Sequence, residues 1–193
     1  MPPPVRRPSA PELTFGNVSA VRADERWPTD GAITLRPLTH DDAGAQLAGE
    51  DDELAQWLND GPSNPATVHS HISRGIEQWA AGGPTFSFGI RTAADDALVG
   101  TIDVQLDQTF LAAGQANLAY GLYPLWRGHG FATRAVLLAV DFLRRHTDVR
   151  EAVILTAPRN PASAAVAHRA GFQPAGQTED GQSVLDRHLL AIR

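Results

Sequence analysis

The sequence predicts a mixed α/β fold, one sheet carrying helices on its faces. Three observations lead there. Short stretches of alternating or continuous apolar residues mark strands, and longer stretches with apolar residues three and four apart mark helices. The two patterns come in the order strand, helix, helix, several strands, then helix, strand, helix, strand. The 193 residues show no internal repeat and no second core-forming set, which fits one domain long enough to bury a substantial core.

Residues 1–30 carry Pro2, Pro3, Pro4, Pro8, Pro11 and Pro28 and are expected to form an extended arm ahead of a single domain over 31–193. In "AITLRPL" (32–38), Ile33 and Leu35 alternate with Thr34 and Arg36, a strand. Thr39 and Asp42 have the spacing of a capping box, so a helix should run over about 40–48. Leu54, Trp57 and Leu58 then recur at helical spacing. A long helix follows, with Asn64 as its cap, Pro65 in its first turn and Gly82 and Gly83 as its stop. "PTFSFGIR" and "ALVGTIDVQL" are two strands, and the turn residues "TAADD" between them make a hairpin. "QANLAYGLY" is a further strand ending at Pro124. "GFATRAVLLAVDFLRRH" is a helix with Ala135, Leu138, Ala139 and Phe142 on one face. Arg144, Arg145 and His146 fill its last turn, where cations suit the dipole. "EAVILTA" is short and apolar enough for a buried strand. "NPASAAVAHRAGF" repeats the Asn-Pro helix start and stops at Gly171, and "SVLDRHLLAI" closes the chain with a strand.

Composition removes several classes of function. A net charge of −6 opposes nucleic-acid binding, whose affinity rests on cationic contacts to phosphates. No apolar run approaches the roughly 18 residues that span a bilayer. The N-terminal stretch has two arginines but no apolar run behind them, unlike a secretory signal, so a cytoplasmic location is expected. There is no cysteine, which excludes disulfides, thiolate metal sites and an acyl-cysteine, and no metal site is expected. All 16 basic residues are arginine, so a Schiff-base lysine and a Walker-type lysine are excluded as well.

One stretch asks for an explanation. "LYPLWRGHGFATRAV" (122–136) places Gly128 and Gly130 at the mouth of a helix, where glycine lowers stability. The first-turn amides of a helix point out of its end and attract anions, and small residues let a phosphate approach the backbone. Arg127, Gly128, His129, Gly130, Phe131, Ala132 and Thr133 therefore read either as a pyrophosphate cradle or as a plain strand-to-helix turn. The dinucleotide pattern fails, because Thr133 stands where its third glycine belongs.

"RGHGFA" resembles the R/Q-x-x-G-x-G/A signature of the GNAT superfamily of N-acetyltransferases, with Arg127, Gly130 and Ala132 on the fixed positions. Asn160, Ser163, Val166, Ala167, Arg169, Gly171 and Phe172 resemble the N-x-x-S-x-x-V-A-x-R-x-G-F segment of its Rim-type branch, the ribosomal-protein N-terminal acetyltransferases. "LVGTID" and "AYGLYP" match the branch's central strands in order, and the resemblance covers about residues 32–190. It implies a mostly antiparallel sheet whose two parallel central strands splay apart, with helices on both faces. Acetyl-CoA would be the co-substrate. Its pantetheine arm would lie in the splay against Leu122 and Tyr123, its pyrophosphate on the amides of 127–133, with Asn160 and Ser163 beside it.

The resemblance further implies direct acetyl transfer to an amine. A backbone amide near Leu122 or Tyr123 would face the thioester oxygen, and Tyr123 would line the reacting centre. Many relatives supply a proton to the leaving thiolate from a Tyr at the place of Ala167; its absence leaves Ser163 as the candidate acid, or no acid at all. Asp103 is the candidate base on a central strand, with His69, His71 and His129 as further options. Glu50, Asp51, Asp52 and Glu53 fall where the family builds its acceptor wall, either as a rim that draws in a cationic amine or as a solvated face. The expected acceptor is a small cationic amine such as an antibiotic or polyamine, or a protein N-terminus. A homodimer fits the same picture. The competing reading is a non-catalytic acyl-CoA-binding or regulatory module. It draws on the missing Tyr and on Asn117, which stands where branch members often carry Glu.

Overall fold

A computed structural model describes residues 27–58, 61–179 and 183–192. Seven strands form one sheet: β1 (Ile33–Pro37), β2 (Thr85–Thr92), β3 (Leu98–Gln105), β4 (Gln115–Leu122), β5 (Glu151–Thr156), β6 (Gln173–Glu179) and β7 (Val184–Ala191). Their order across the sheet is β1-β2-β3-β4-β5-β7-β6. β4 and β5 are parallel and every other neighbouring pair is antiparallel. The helices are α1 (Ala43–Gly49), α2 (Asp52–Trp57), α3 (Pro65–Ala81), α4 (Phe131–His146) and α5 (Pro161–Arg169).

The local chemistry of the ends explains where the helices lie. The Thr39 amide donates to the Asp42 carboxylate at 2.8 Å, and this box opens a short 3-10 turn that runs on into α1. Asp51 caps α2 by accepting from the Leu54 amide. Asn64 caps α3, accepting from the amides of Ala66 and Thr67, and Gly82 ends it in the left-handed conformation at φ 79°.

The two faces of the sheet differ. Ile33, Leu35, Phe86, Phe88, Ile102, Val104, Leu118 and Ile154 share one core with Ala135, Ala139, Phe142 and Leu143 of α4 and Val166 of α5. Each fully buried Ile, Leu, Val or Phe among them stabilises by about 1.5–3 kcal/mol. Phe142 stands edge-on to Phe86 and Phe88 with centroids 5.4 and 5.2 Å away. Trp79, from the end of α3, joins both phenylalanines at 4.8 and 4.9 Å. The opposite face carries Ser87, Gly89, Asp103 and Ala119. There α3 packs so closely that a Cβ on Gly75 would touch Ser87 at 3.4 Å, and Leu38, Val68 and Ile72 form a smaller cluster.

β6 departs from the sequence reading, which has no strand over 173–179. It is an edge strand with nearly every residue exposed, Gly176 at φ 82° and a register shift between Pro174 and Gln177. With no buried face it has no apolar alternation to detect, and the bulge and Pro174 suit an edge. Of the expected arm, residues 1–26 lie outside the described residues. Residues 27–30 lie against the domain: Trp27 is edge-on to Trp79 at 5.9 Å, and Asp30 pairs with Arg134 at 2.6 Å.

Candidate active site

β4 and β5 run side by side from Gln115↔Glu151 to Asn117↔Val153 and then part. On its other edge β4 stays paired with β3 to Leu122↔Gly100, and the Tyr123 amide extends that ladder to the Val99 carbonyl at 2.9 Å. Successive amides of an antiparallel ladder point to opposite edges. The amides of Ala119, Gly121 and Tyr123 therefore serve β3, and those of Tyr120 and Leu122 face the opening. A cleft of about 970 Å³ fills this opening.

At the same end α4 begins. Gly128 and Gly130 have φ of 80° and 78°, left-handed values that favour glycine. A Cβ on either would meet no protein atom within 4 Å, so the turn is open on the side where an anion would sit. Gly130 is also the residue capping α4, and it offers no side-chain oxygen to the first-turn amides. Thr133 Oγ1, in that turn, is buried with no hydrogen-bond partner among the described residues. Both findings leave donors for an anion.

The far wall is α5. The Asn160 oxygen accepts from the Ser163 amide at 3.0 Å, which caps the helix and leaves its NH₂ group for the cleft. Ser163 is joined by a residue the sequence reading passed over. The Tyr120 hydroxyl lies 3.1 Å from Ser163 Oγ and 3.2 Å from the Ser163 carbonyl. Burial pushes the Tyr120 phenol up to about 12, so it stays protonated and remains a donor. Tyr120 was legible only as one of several strand apolars; nothing marks a phenol that will meet a serine 43 positions on.

Leu122, Arg127, Gly128, Ala132, Asn160, Ser163 and Glu53 thus line one cleft. His129, Gly130, Phe131 and Thr133 form the adjoining turn, where His129 stacks on Phe131 at 5.9 Å. Tyr123 points elsewhere: its amide is held by Val99, and its ring lies against Gly49, where a Cβ would come within 2.4 Å. Burial, with the nearby Asp42 charge, pushes its phenol well above the ordinary tyrosine range.

The acidic run and Arg127 meet each other. Arg127 donates to both Asp51 oxygens at 2.8 Å, to Glu53 at 2.8 Å and to the Leu122 carbonyl at 3.1 Å. These bonds hold the Asp51 carboxyl below its usual range. Glu50 accepts from the Ser63 amide, Asp52 lies exposed in the first turn of α2, and of the four acids Glu53 alone lines the cleft. Trp57, Leu58 and Leu54 line it too, although their spacing reads simply as a helix face. Asp103 sits one strand inward, paired with Ala119 and facing His71 and Arg74 of α3. Burial raises its carboxyl above the usual range, against the opposing pull of His71, Ser87 and Arg74. The described residues contain no His/Asp/Glu group able to hold a metal ion, and no helix long and apolar enough to cross a membrane.

A family model described as an acetyltransferase (GNAT) domain matches residues 32–173. YjcK, a probable N-acetyltransferase of Bacillus subtilis (strain 168), is 38% identical over 112 residues, 55% of this chain; the match spans 61% of that protein's length. RimL, a ribosomal L7/L12 alpha-N-protein acetyltransferase solved in complex with coenzyme A, superposes with a TM-score of 0.74 at 18% identity, over 86% of this chain and 98% of RimL. A chimera of the spermidine N-acetyltransferase SpeG from Vibrio cholerae and hSSAT gives 0.67 at 15% identity, over 83% and 96%. At such identities these two structures share the fold with this chain.

Proposed function

The chain belongs to the GNAT acetyltransferase family, and from that premise we propose that it moves the acetyl group of acetyl-CoA directly onto a primary amine. One observation carries the reading: the parting of β4 from β5 and the uncapped start of α4 occur at the same end of the sheet. The residues fit the co-substrate. The amides of 131–133 behind the two left-handed glycines take the pyrophosphate. The Tyr120 amide and the Asn160 NH₂ group take the pantetheine arm. RimL, with the same fold, was solved with coenzyme A bound.

Acetyl-CoA supplies an activated acyl carbon and a thiolate leaving group. The carbon–sulfur bond breaks as the carbon–nitrogen bond forms; the amine gives up one proton and the thiolate gains one. An amine that arrives as ammonium sheds a further proton to reach its nucleophilic form. The Leu122 amide, free of the β3 ladder, is the donor for the thioester oxygen. Ser163, held by Tyr120, is the candidate hydroxyl that would give the leaving thiolate its proton. Asp103, one strand inward from the cleft, is the candidate base, taking the amine's proton through water.

The test mixes the full chain with acetyl-CoA and a panel of primary amines, following free thiol and product mass. Acetylated amine and CoA should appear in equal amounts, and the protein alone with acetyl-CoA should carry no stoichiometric adduct. Gly130→Val should abolish CoA binding in calorimetry. A chain that binds CoA yet acetylates no amine would be a binding module and would end the transfer reading.

A further inference from the structure

Asn117 holds a buried acceptor with nothing to accept. It is 7% exposed, it lines the cleft at the point where β4 and β5 part, and its Oδ1 has no hydrogen-bond partner among the described residues. Its Nδ2 donates to Gln105 Oε1 at 2.8 Å, so the amide is anchored to β3 through its nitrogen and Oδ1 is left over. A buried unpaired carbonyl is unfavourable, and a ligand N–H relieves it.

One wall of the cleft is apolar. Asn117, Ala119 and Gly121 share the sheet face turned away from α4, as their pairing with Gln105, Asp103 and Thr101 requires. Leu54 of α2 and Leu58, which caps its C-terminus, close over Gly121, where a Cβ would meet them at 2.4 and 3.0 Å. Trp57 lines the same cleft, as do Leu155 and Leu185, which fall on the same face as Asn117. Glu53 is the only carboxylate among the described lining residues, and it is already bonded to Arg127. A polyamine carries several charges that carboxylates would hold, and beyond Glu53 this cleft offers none among the described residues.

Resting on the acetyl-transfer reading, we propose that the acceptor is a primary amine bearing an apolar substituent beside it. Its nitrogen donates to Asn117 Oδ1 and the substituent packs on Leu54, Trp57 and Leu58. Asn117 positions the nitrogen and takes no proton, since a carboxamide is not a base at neutral pH. The same chemistry is offered by a small arylalkyl amine and by a peptide with an apolar first residue.

The test compares 2-phenylethylamine, ethanolamine, spermidine and the tripeptides Phe-Ala-Ala and Ser-Ala-Ala, with the full chain and acetyl-CoA. Burying one such group should raise kcat/KM for 2-phenylethylamine over ethanolamine and spermidine by about ten-fold or more. The Phe over Ser contrast, set beside it, tells whether the natural amine is a small molecule or a peptide end. Asn117→Leu should raise the KM for 2-phenylethylamine by about ten-fold with CoA affinity unchanged, a split that general misfolding would not give. Leu58→Asp, at a position 37% exposed, should erase the preference while the fold persists. Spermidine or ethanolamine used as well as the apolar amines would overturn the proposal. If no amine releases thiol, the transfer reading is lost, and calorimetry on the CoA complex decides this one. Preferential binding of 2-phenylethylamine supports it, and equal or absent binding overturns it.

Discussion

Arg127 has a partner for every nitrogen of its guanidinium: Leu122 at the end of β4, and Asp51 and Glu53 at the start of α2. Asp51 meanwhile caps α2. Asp51→Ala removes both functions. The lost cap should lower stability by about 1 kcal/mol, and the half-solvated ion pair adds less than about 1 kcal/mol, measurable by urea titration. Arg127 keeps the Asp51 carboxyl below 3.8, so this support is complete above that value and fades as pH falls through the lower folded one. Asp51→Asn should flatten the acid limb of the stability curve. Asp103 has the opposite sign. Burial raises it, so the fold prefers its protonated form, and stability falls as pH rises from 3.8 through the raised folded value. Asp103→Asn should therefore melt higher than wild type at pH 7. If Asp103 is the base, kcat also drops by roughly 10²-fold and one ionisation leaves the pH–rate profile. Equal melting points and an unchanged profile would clear it of both roles. The acids at 50–53 and Arg127 are each conspicuous in the sequence, yet their pairing spans 76 positions and no local pattern announces it.

Among the elements, those with chemical end signals were legible. Asn64 and Pro65, Asn160 and Pro161, and Thr39 with Asp42 each start a helix where the sequence places one. β6 was not, because an exposed edge strand carries no periodicity. β3 and β4 owe their closeness to a residue that reads as featureless. A Cβ on Gly100 would fall 2.2 Å from the Gly121 carbonyl and 2.9 Å from the Leu122 Cα, both backbone atoms that cannot swing aside. Gly100 has no left-handed φ, so the constraint is space alone. Gly100→Ala should force the strands apart at the mouth of the cleft and destabilise by about 1–3 kcal/mol, seen as a lower melting temperature. A melting temperature equal to wild type would mean that the strands yield without strain.

Over the whole molecule, the two segments that suggested a site, 127–133 and 160–172, are separated by α4 and β5. A parallel crossover returns the chain beside β4 and brings them to one cleft. Sequence order could supply the segments, and the family resemblance the splay, but the cleft-lining Tyr120, the apolar α2 wall and Tyr123 buried against Gly49 follow from register and packing. The splay also has a consequence for proton traffic with solvent. A sheet normally shields its amides, yet those of Tyr120 and Leu122 sit mid-sheet with no strand opposite them. In deuterated buffer they should exchange faster than the neighbouring amides of Ala119 and Gly121, which serve β3. CoA should slow those two amides selectively, with no turnover needed to see it. Uniform slowing across β4, or none, would mean that the ligand does not lie in the opening.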